Sequence, residues 1–245
     1  MYLSVIIPAY NEVKRIADTL ASVNDYLTKQ DYIYEVIVVN DGSKDKTSEV
    51  VKTVEQGMKH LKLIDNKKNH GKGWVVRQGI MEARGRYRLF MDADNSTTID
   101  HLDKMMPYFN QGYDVVIGSI AVSGAKIVKG GGEPFWRVIL GKLGNLWIQI
   151  FAVPGIKDTQ RGFKVFSDEA VKDIFPCLTI FGWGIDIEIL ALARKFKYKI
   201  KEVPVTWNND PNSKVNIWAY PQVLLQTLKV FINLLTNKYK HCHRA

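Results

Sequence analysis

Short apolar runs that end on acidic or amide side chains recur through the first half of this chain, and they constrain its fold more than any other feature. "LSVIIPA" (Leu3 to Ala9) leads into Tyr10, Asn11 and Glu12, "EVIVVND" (Glu35 to Asp41) closes on Asn40 and Asp41, and "YRLFMDAD" (Tyr87 to Asp94) carries Asp92 and Asp94. "LKLID" (Leu61 to Asp65) and "YDVVIGS" (Tyr113 to Ser119) have the same β-strand character. The stretches between them have helical spacing, so the order is βαβα, and near-continuous Val/Ile runs suit strands covered on both faces. The fold class is therefore α/β, with a mostly parallel sheet flanked by helices. In such open sheets ligands bind beyond the carboxyl ends of the strands, which is where the polar residues collect. The apolar runs are scaffold, and the aspartates meet a crevice.

After Ser119 the pattern changes. A Gly/Lys-rich loop (Ser123 to Pro134) precedes a long apolar segment, Phe135 to Ile156, in which only Arg137 and Lys142 are charged. That segment either packs on the sheet or lies at a lipid interface, since its Trp136 and Trp147 suit both settings. "GFKVF" (Gly162 to Phe166) reads as a strand, "DIEILALARKF" (Asp186 to Phe196) as a helix and "YKIKEVPVTW" (Tyr198 to Trp207) as one further strand. Near the end, Gln222, Gln226, Lys229, Asn233 and Thr236 form a narrow polar stripe along an otherwise apolar helix. From Val215 to Ala245 no acidic residue occurs, so residues 217–245 read as an amphipathic helix with a basic tail at a membrane interface, following one domain at residues 1–216.

Charge narrows the partners without choosing among them. Lys+Arg number 34 against 25 Asp+Glu, a formal net charge of +9, which favours nucleotides, nucleic acid or an acidic lipid surface. The two cysteines, Cys177 and Cys242, lie far apart and indicate neither a disulfide framework nor a zinc site, so a reducing compartment is expected. The chain starts on a strand-like run without a basic start or a cleavage pattern, and a signal peptide is not expected.

The pair Asp92 and Asp94 can hold one hard divalent cation, Mg²⁺ or Mn²⁺, the remaining positions being phosphate oxygens and water. The plainer reading is a solvated turn with Asp94 capping the next helix. Asp41, at the end of a neighbouring strand, can accept a hydrogen bond from the imide N–H of a uracil, while Asp45 and Thr47 read as caps of the following helix. Gly71 and Gly73 around Lys72, just before a helical stretch, read as a phosphate cradle.

Taken in order, P-A-Y-N-E, D-G-S, N-H-G-K-G and D-A-D resemble the family 2 glycosyltransferases of the GT-A fold. "DTQRGFKVF" (Asp158 to Phe166), "GWGIDIEIL" (Gly182 to Leu190), "EVPVTW" and "NSKV" extend the resemblance to the polyprenyl-phosphate sugar transferases, in particular the dolichyl-phosphate β-glucosyltransferases. The resemblance implies that Pro8, Tyr10, Glu12 and Asp41 hold the nucleoside and that Lys72 approaches the nucleotide. Asp92 and Asp94 would meet the metal and diphosphate, Gln160, Trp183 and Asp186 the sugar or acceptor, and Ser213 with Lys214 would close over the diphosphate. Asp94, Asp158, Arg161 and Lys214 are the catalytic candidates. Two departures matter: relatives often read Gly-Ser-Arg where this chain has Ile120, and a small residue where it has Arg161. Arg161, or Lys126 and Lys129, is expected to supply the missing cation.

The activity so implied is inverting, single-displacement transfer of glucose from UDP-glucose to a polyprenyl or dolichyl phosphate, on the cytoplasmic side of a membrane by a peripheral or monotopic protein. A transferase acting on a soluble glycan or polysaccharide is the rival within enzymes. A non-catalytic nucleotide- or RNA-binding module ranks last, because no aromatic RNA-reading motif accompanies the basic charge; no nucleic-acid partner is expected.

Overall fold

The computed structural model describes residues 1–128, 135–208 and 219–241. The first half is β1 (Leu3–Ala9), α1 (Ile16–Leu27), β2 (Tyr34–Asp41), α2 (Thr47–Glu55), β3 (Leu61–Asn66), α3 (Lys72–Glu82) and β4 (Tyr87–Met91). Two short helices, α4 (Leu102–Met105) and α5 (Pro107–Asn110), lead to β5 (Val115–Ser119), followed by β6 (Lys126–Val128) and α6 (Phe135–Phe151). Then come β7 (Phe163–Ser167), α7 (Asp168–Ile174), α8 (Ile185–Lys195), β8 (Ile200–Pro204), β9 (Thr206–Asn208) and α9 (Ala219–Leu235).

Seven strands form one sheet in the order β3-β2-β1-β4-β7-β5-β8. All neighbours are parallel except β7, which runs antiparallel to both β4 and β5. Side chains alternate across it, as period-2 geometry requires. Ile6, Ile37, Val39 and Phe90 join the core shared with α3, α7 and α8, while Val5, Ile7, Val36, Val38 and Leu89 join the core shared with α1 and α2. Both faces are covered, which is why these strands are apolar throughout.

Three elements differ from the sequence reading. β4 ends at Met91, short of the aspartates: the Asp92 amide still donates to the Gly162 carbonyl at 2.9 Å, in register with β7, and the chain then turns through Asp94 and the left-handed Asn95. The run Tyr198–Trp207 is two strands: at Val205 the N–H still donates to Ser119 of the large sheet at 3.2 Å, but the carbonyl accepts from Lys126. β9 then pairs with β6 in a separate two-stranded ribbon. Finally, α9 turns part of its polar stripe inward. Gln226 accepts from the Gly184 amide, and buried Asn233 donates to the Thr179 and Tyr239 hydroxyls, while Leu225, Ile232 and Leu235 face outward.

The C-terminal segment is thereby anchored to the body. Glu188, fully buried on α8, accepts from the Thr179 and Ile180 amides, from the Thr179 hydroxyl and from Tyr239 at 2.7 Å. A buried carboxylate is tolerated only when its oxygens are satisfied, and here Tyr239 completes the set from beyond α9. Burial next to that carboxylate pushes the Tyr239 hydroxyl pKa up.

Candidate active site

The carboxyl ends of β1, β2 and β4 open into a cavity of about 1050 Å³, the size range of small-molecule sites. Pro8, Tyr10, Glu12, Asp41, Lys72, Asp92, Asp94, Gln160, Arg161, Trp183 and Asp186 all line it, so eleven positions chosen from sequence converge on one space. Ser213 and Lys214 lie outside the described residues, as does Lys129.

The loops after β1 and β2 interlock at one end of the cavity. The Asn11 amide donates to Ser43, the Glu12 amide to the Thr47 hydroxyl, and the Lys44 amide to Asn11, which binds the turn after β1 to the turn after β2. Asp45 serves that junction as well as a helix start, accepting from the Val13 and Thr47 amides. Asp41 spreads its two oxygens over the His70 and Gly71 amides at 2.7 and 3.0 Å. Burial pushes its pKa up, against those two bonds; each oxygen keeps a second lone pair for a ligand.

The Gly71–Gly73 turn differs from the phosphate cradle read in the sequence. Gly71 adopts φ +97°, a left-handed conformation glycine enters without a Cβ clash. The Gly73 and Trp74 amides then both point at the Phe181 carbonyl, at 2.9 and 3.3 Å, and so are occupied by protein. What the turn presents to the cavity is the Lys72 side chain. Its ammonium lies 2.7 Å from Asp92 Oδ1, 5.3 Å from the Phe90 ring and 5.5 Å from the Trp183 ring. Burial works against the charge, yet Asp92, Asp186 and Asp94 together raise its pKa, so Lys72 stays cationic.

Asp92 and Asp94 are held differently. A Cβ on Gly162 would collide with the whole Asp92 carboxylate, so only glycine there permits its present rotamer. Asp94 accepts from the Ser96 amide at 2.9 Å across a left-handed Asn95. Burial and then the neighbouring Asp92 charge raise the Asp94 pKa. This pair of hard oxygen donors fits a Mg²⁺ or Mn²⁺ ion. No group of three or more His, Cys, Asp or Glu side chains able to hold a metal occurs among the described residues, so protein supplies two carboxylates and leaves positions for phosphate oxygens and water. That donor set is the one expected of an ion shared with a substrate.

Two further charged groups were not singled out from sequence or sit differently from expectation. Lys164 is fully buried in the middle of β7 and donates to Asp186 Oδ1 at 2.6 Å and to the Arg161 carbonyl. A lysine inside an apolar run was the only signal for it. Asp158 is not among the lining residues: its Oδ2 accepts from the Ile120 amide at 2.9 Å and from Arg161 Nε at 3.3 Å. The Arg161 guanidinium also lies 4.2 Å from the Trp207 ring, so its orientation toward the cavity is fixed from two sides. Lys126 is exposed on β6 and does not line the cavity.

Opposite the sheet the cavity wall is helical, with Leu140, Leu143 and Trp147 of α6 and Tyr220, Val223 and Leu224 of α9. Trp147 Nε1 is buried and has no hydrogen-bond partner among the described residues.

A mostly parallel sheet with one antiparallel strand, opening at its carboxyl ends into an acidic crevice, is the architecture of a class, the GT-A glycosyltransferases. Glucosyl-3-phosphoglycerate synthase from Mycobacterium tuberculosis, solved with Mn²⁺, UDP and phosphoglyceric acid, shares the fold at a TM-score of 0.69 and 16% identity, over 95% of this chain and 78% of that one. S. aureus TarS in complex with UDP matches at a TM-score of 0.58 and 21% identity, over 93% and 71%. The family model "Glycosyl transferase family 2" matches residues 4–175. Among curated proteins, dolichyl-phosphate beta-glucosyltransferases are similar throughout: that of Dictyostelium discoideum is 37% identical over 88% of this chain and 69% of its own length. The human one is 34% identical over 97% and 77%. The chain is a glycosyltransferase and belongs to family 2.

Proposed function

We propose that this enzyme transfers glucose from UDP-glucose to a polyprenyl phosphate, dolichyl phosphate among them, by one inverting displacement. The observation that carries this reading is the division of one cavity into a charged floor and an apolar helical wall. A charged floor suits the nucleoside diphosphate; an apolar wall suits a lipid whose reactive end is a phosphate. The names of the similar curated proteins support both the sugar and the acceptor.

In this reading Pro8, Tyr10, Glu12 and Asp41 bind the nucleoside, and Asp92 with Asp94 hold the cation. When bound, that ion would neutralise the diphosphate. Lys72, kept cationic by its carboxylate neighbours, faces the negative charge that builds on the departing diphosphate as an oxocarbenium-like sugar forms. Ser213 and Lys214 close over the same group. Gln160, Trp183 and Asp186 contact the sugar. Arg161 meets the acceptor phosphate, aimed by Asp158 and Trp207, and so takes the place of the cation missing at Ile120. The acceptor needs no general base, because a phosphate with a second pKa of about 6 attacks as a dianion at pH 7. Asp158 accordingly acts through Arg161.

The outward leucines support attachment to a membrane surface. Leu146 and Ile150 of α6 are 54% and 63% exposed, Leu225 and Leu235 of α9 are 67% and 66% exposed, and Lys142, Lys229, Lys238 and Lys240 are exposed along the same segments. Among the described residues no helix is long and apolar enough to cross a membrane, so the helices would lie in the interface, on the cytoplasmic face. Residues 1–216 then carry the catalytic groups, and residues 217–245 contribute to attachment together with α6.

Incubation with UDP-[¹⁴C]glucose, Mn²⁺ and dolichyl phosphate tests the reading. It predicts a solvent-extractable glucolipid; label in a water-soluble saccharide, and none in any polyprenyl phosphate, would overturn it.

A further inference from the structure

Loop 178–184, between β7's following helices and α8, has glycine at both positions flanking Trp183. It cannot hold its shape through its own side chains there. On one side it is pinned to the start of α3, since Phe181 O accepts from the Gly73 and Trp74 amides, and a Cβ on Gly71 would lie 2.6 Å from that same oxygen. On the other side it meets α9. Gln226 Oε1 accepts from the Gly184 amide at 2.7 Å, a Cβ on Gly182 would lie 2.5 Å from Gln226 Nε2, and one on Gly184 would lie 2.7 Å from Oε1. The loop therefore runs between α3 and the carboxamides of α9, Gln226 and, at 3.0 Å from a Cβ on Gly182, Gln222, with little free space on either side.

From these contacts we infer that Gln226 is a positioning residue for the donor site: through Gly182 and Gly184 it sets where Trp183 stands and, through Phe181, where α3 places Lys72. Gly184 also precedes α8, whose first turn carries Asp186, and the Ile187 and Glu188 amides donate back to the Gly184 carbonyl. Glu188 holds the start of this loop through the Thr179 and Ile180 amides, and the Gly184–Gln226 bond holds its end, tying the entry of α8 and the Trp183 ring to α9. Since α9 is the helix whose apolar face is turned outward, its seating is read directly at the floor of the cavity. Gln226 belongs to the narrow polar stripe read in the sequence, and its inward role follows only from the glycines opposite. The identity of the donor rests on the function proposed above; the positioning does not.

The decisive comparison uses Gln226→Met, similar in length but a poor acceptor, and Gln226→Glu, which keeps an acceptor oxygen. Leaving the Gly184 amide buried and unbonded removes roughly 1.4 kcal/mol or more, about ten-fold in local opening. Hydrogen–deuterium exchange of peptides spanning residues 70–76 and 178–186 should therefore accelerate about ten-fold in Gln226→Met and return within about two-fold of wild type in Gln226→Glu. In turnover with UDP-glucose, Gln226→Met should lower kcat/KM about ten-fold, with kcat falling as well because Lys72 is displaced, and Gln226→Glu should restore both. Unchanged exchange in both peptides, or equal loss in both variants, would overturn the inference. If wild type failed to bind UDP-glucose, the functional reading would fall, while the exchange result would still decide the role of Gln226.

Discussion

Along the sheet wall of the cavity Asp41, Asp92, Asp94, Arg161 and Asp186 each have a partner within hydrogen-bonding distance, whereas along the helical wall leucines stand open and the Trp147 indole N–H has none among the described residues. The first wall is organised before any ligand arrives, so its groups need no rearrangement when charge develops on a substrate. The second wall is unfinished without an apolar neighbour. Under the proposed function, the difference teaches that charge recognition belongs to strand ends and lipid recognition to the two long helices α6 and α9.

The sharpest way to break this comparison is to disturb the sheet wall where it is buried. Lys164→Met leaves Asp186 buried without its cation, a change that costs about 3–5 kcal/mol. For a chain of this size that is about 6–20 °C in melting temperature. The double variant Lys164→Met/Asp186→Leu should regain most of that stability and still lack activity. Calorimetry beside transfer assays separates the two; an active double variant would remove Asp186 from the sugar site.

A smaller effect is expected from Gly162→Ala. The added methyl displaces the Asp92 carboxylate from its place beside Lys72, an overpacking that costs about 1–3 kcal/mol, and kcat should fall about 10²-fold because a misplaced group at the reacting centre is worth that much. Full activity in this variant would show that Asp92 works from another rotamer.

The smallest effect belongs to the outward face of α6, on the side away from the cavity lining. Replacing Leu146 and Ile150 by glutamine should leave transfer to a short, water-soluble prenyl phosphate within about two-fold, yet lower transfer to dolichyl phosphate in anionic vesicles about ten-fold, the scale of losing one buried apolar side chain. Equal loss with both acceptors would place these residues in the fold instead.

Most of the sheet wall was legible in the sequence, because period-2 apolar runs and acidic strand ends are local patterns. Five strands of the parallel framework, and the convergence of Asp41, Asp92 and Asp94, follow from them. What escaped depended on contacts distant in sequence. Val205 looks like the middle of a strand until Ser119 and Lys126 draw its two polar groups to different sheets. The amides of the Gly71–Trp74 turn look free until Asp41 takes that of Gly71 and the Phe181 carbonyl those of Gly73 and Trp74. The polar stripe of α9 looks solvated until Gly184, Thr179 and Tyr239 are found beneath it. Lys164 was visible as a charge in an apolar run, but its partner Asp186 lies on another element, so its meaning was not.

Glucosyl transfer by the Asp94→Ala variant, measured against wild type with saturating Mn²⁺ and dolichyl phosphate, tests the proposed role of the paired carboxylates most directly. With the variant's melting temperature unchanged or raised, since a carboxyl whose pKa is elevated by burial has been removed, the rate should drop about 10³-fold. A folded Asp94→Ala enzyme that makes glucolipid at the wild-type rate would contradict the account.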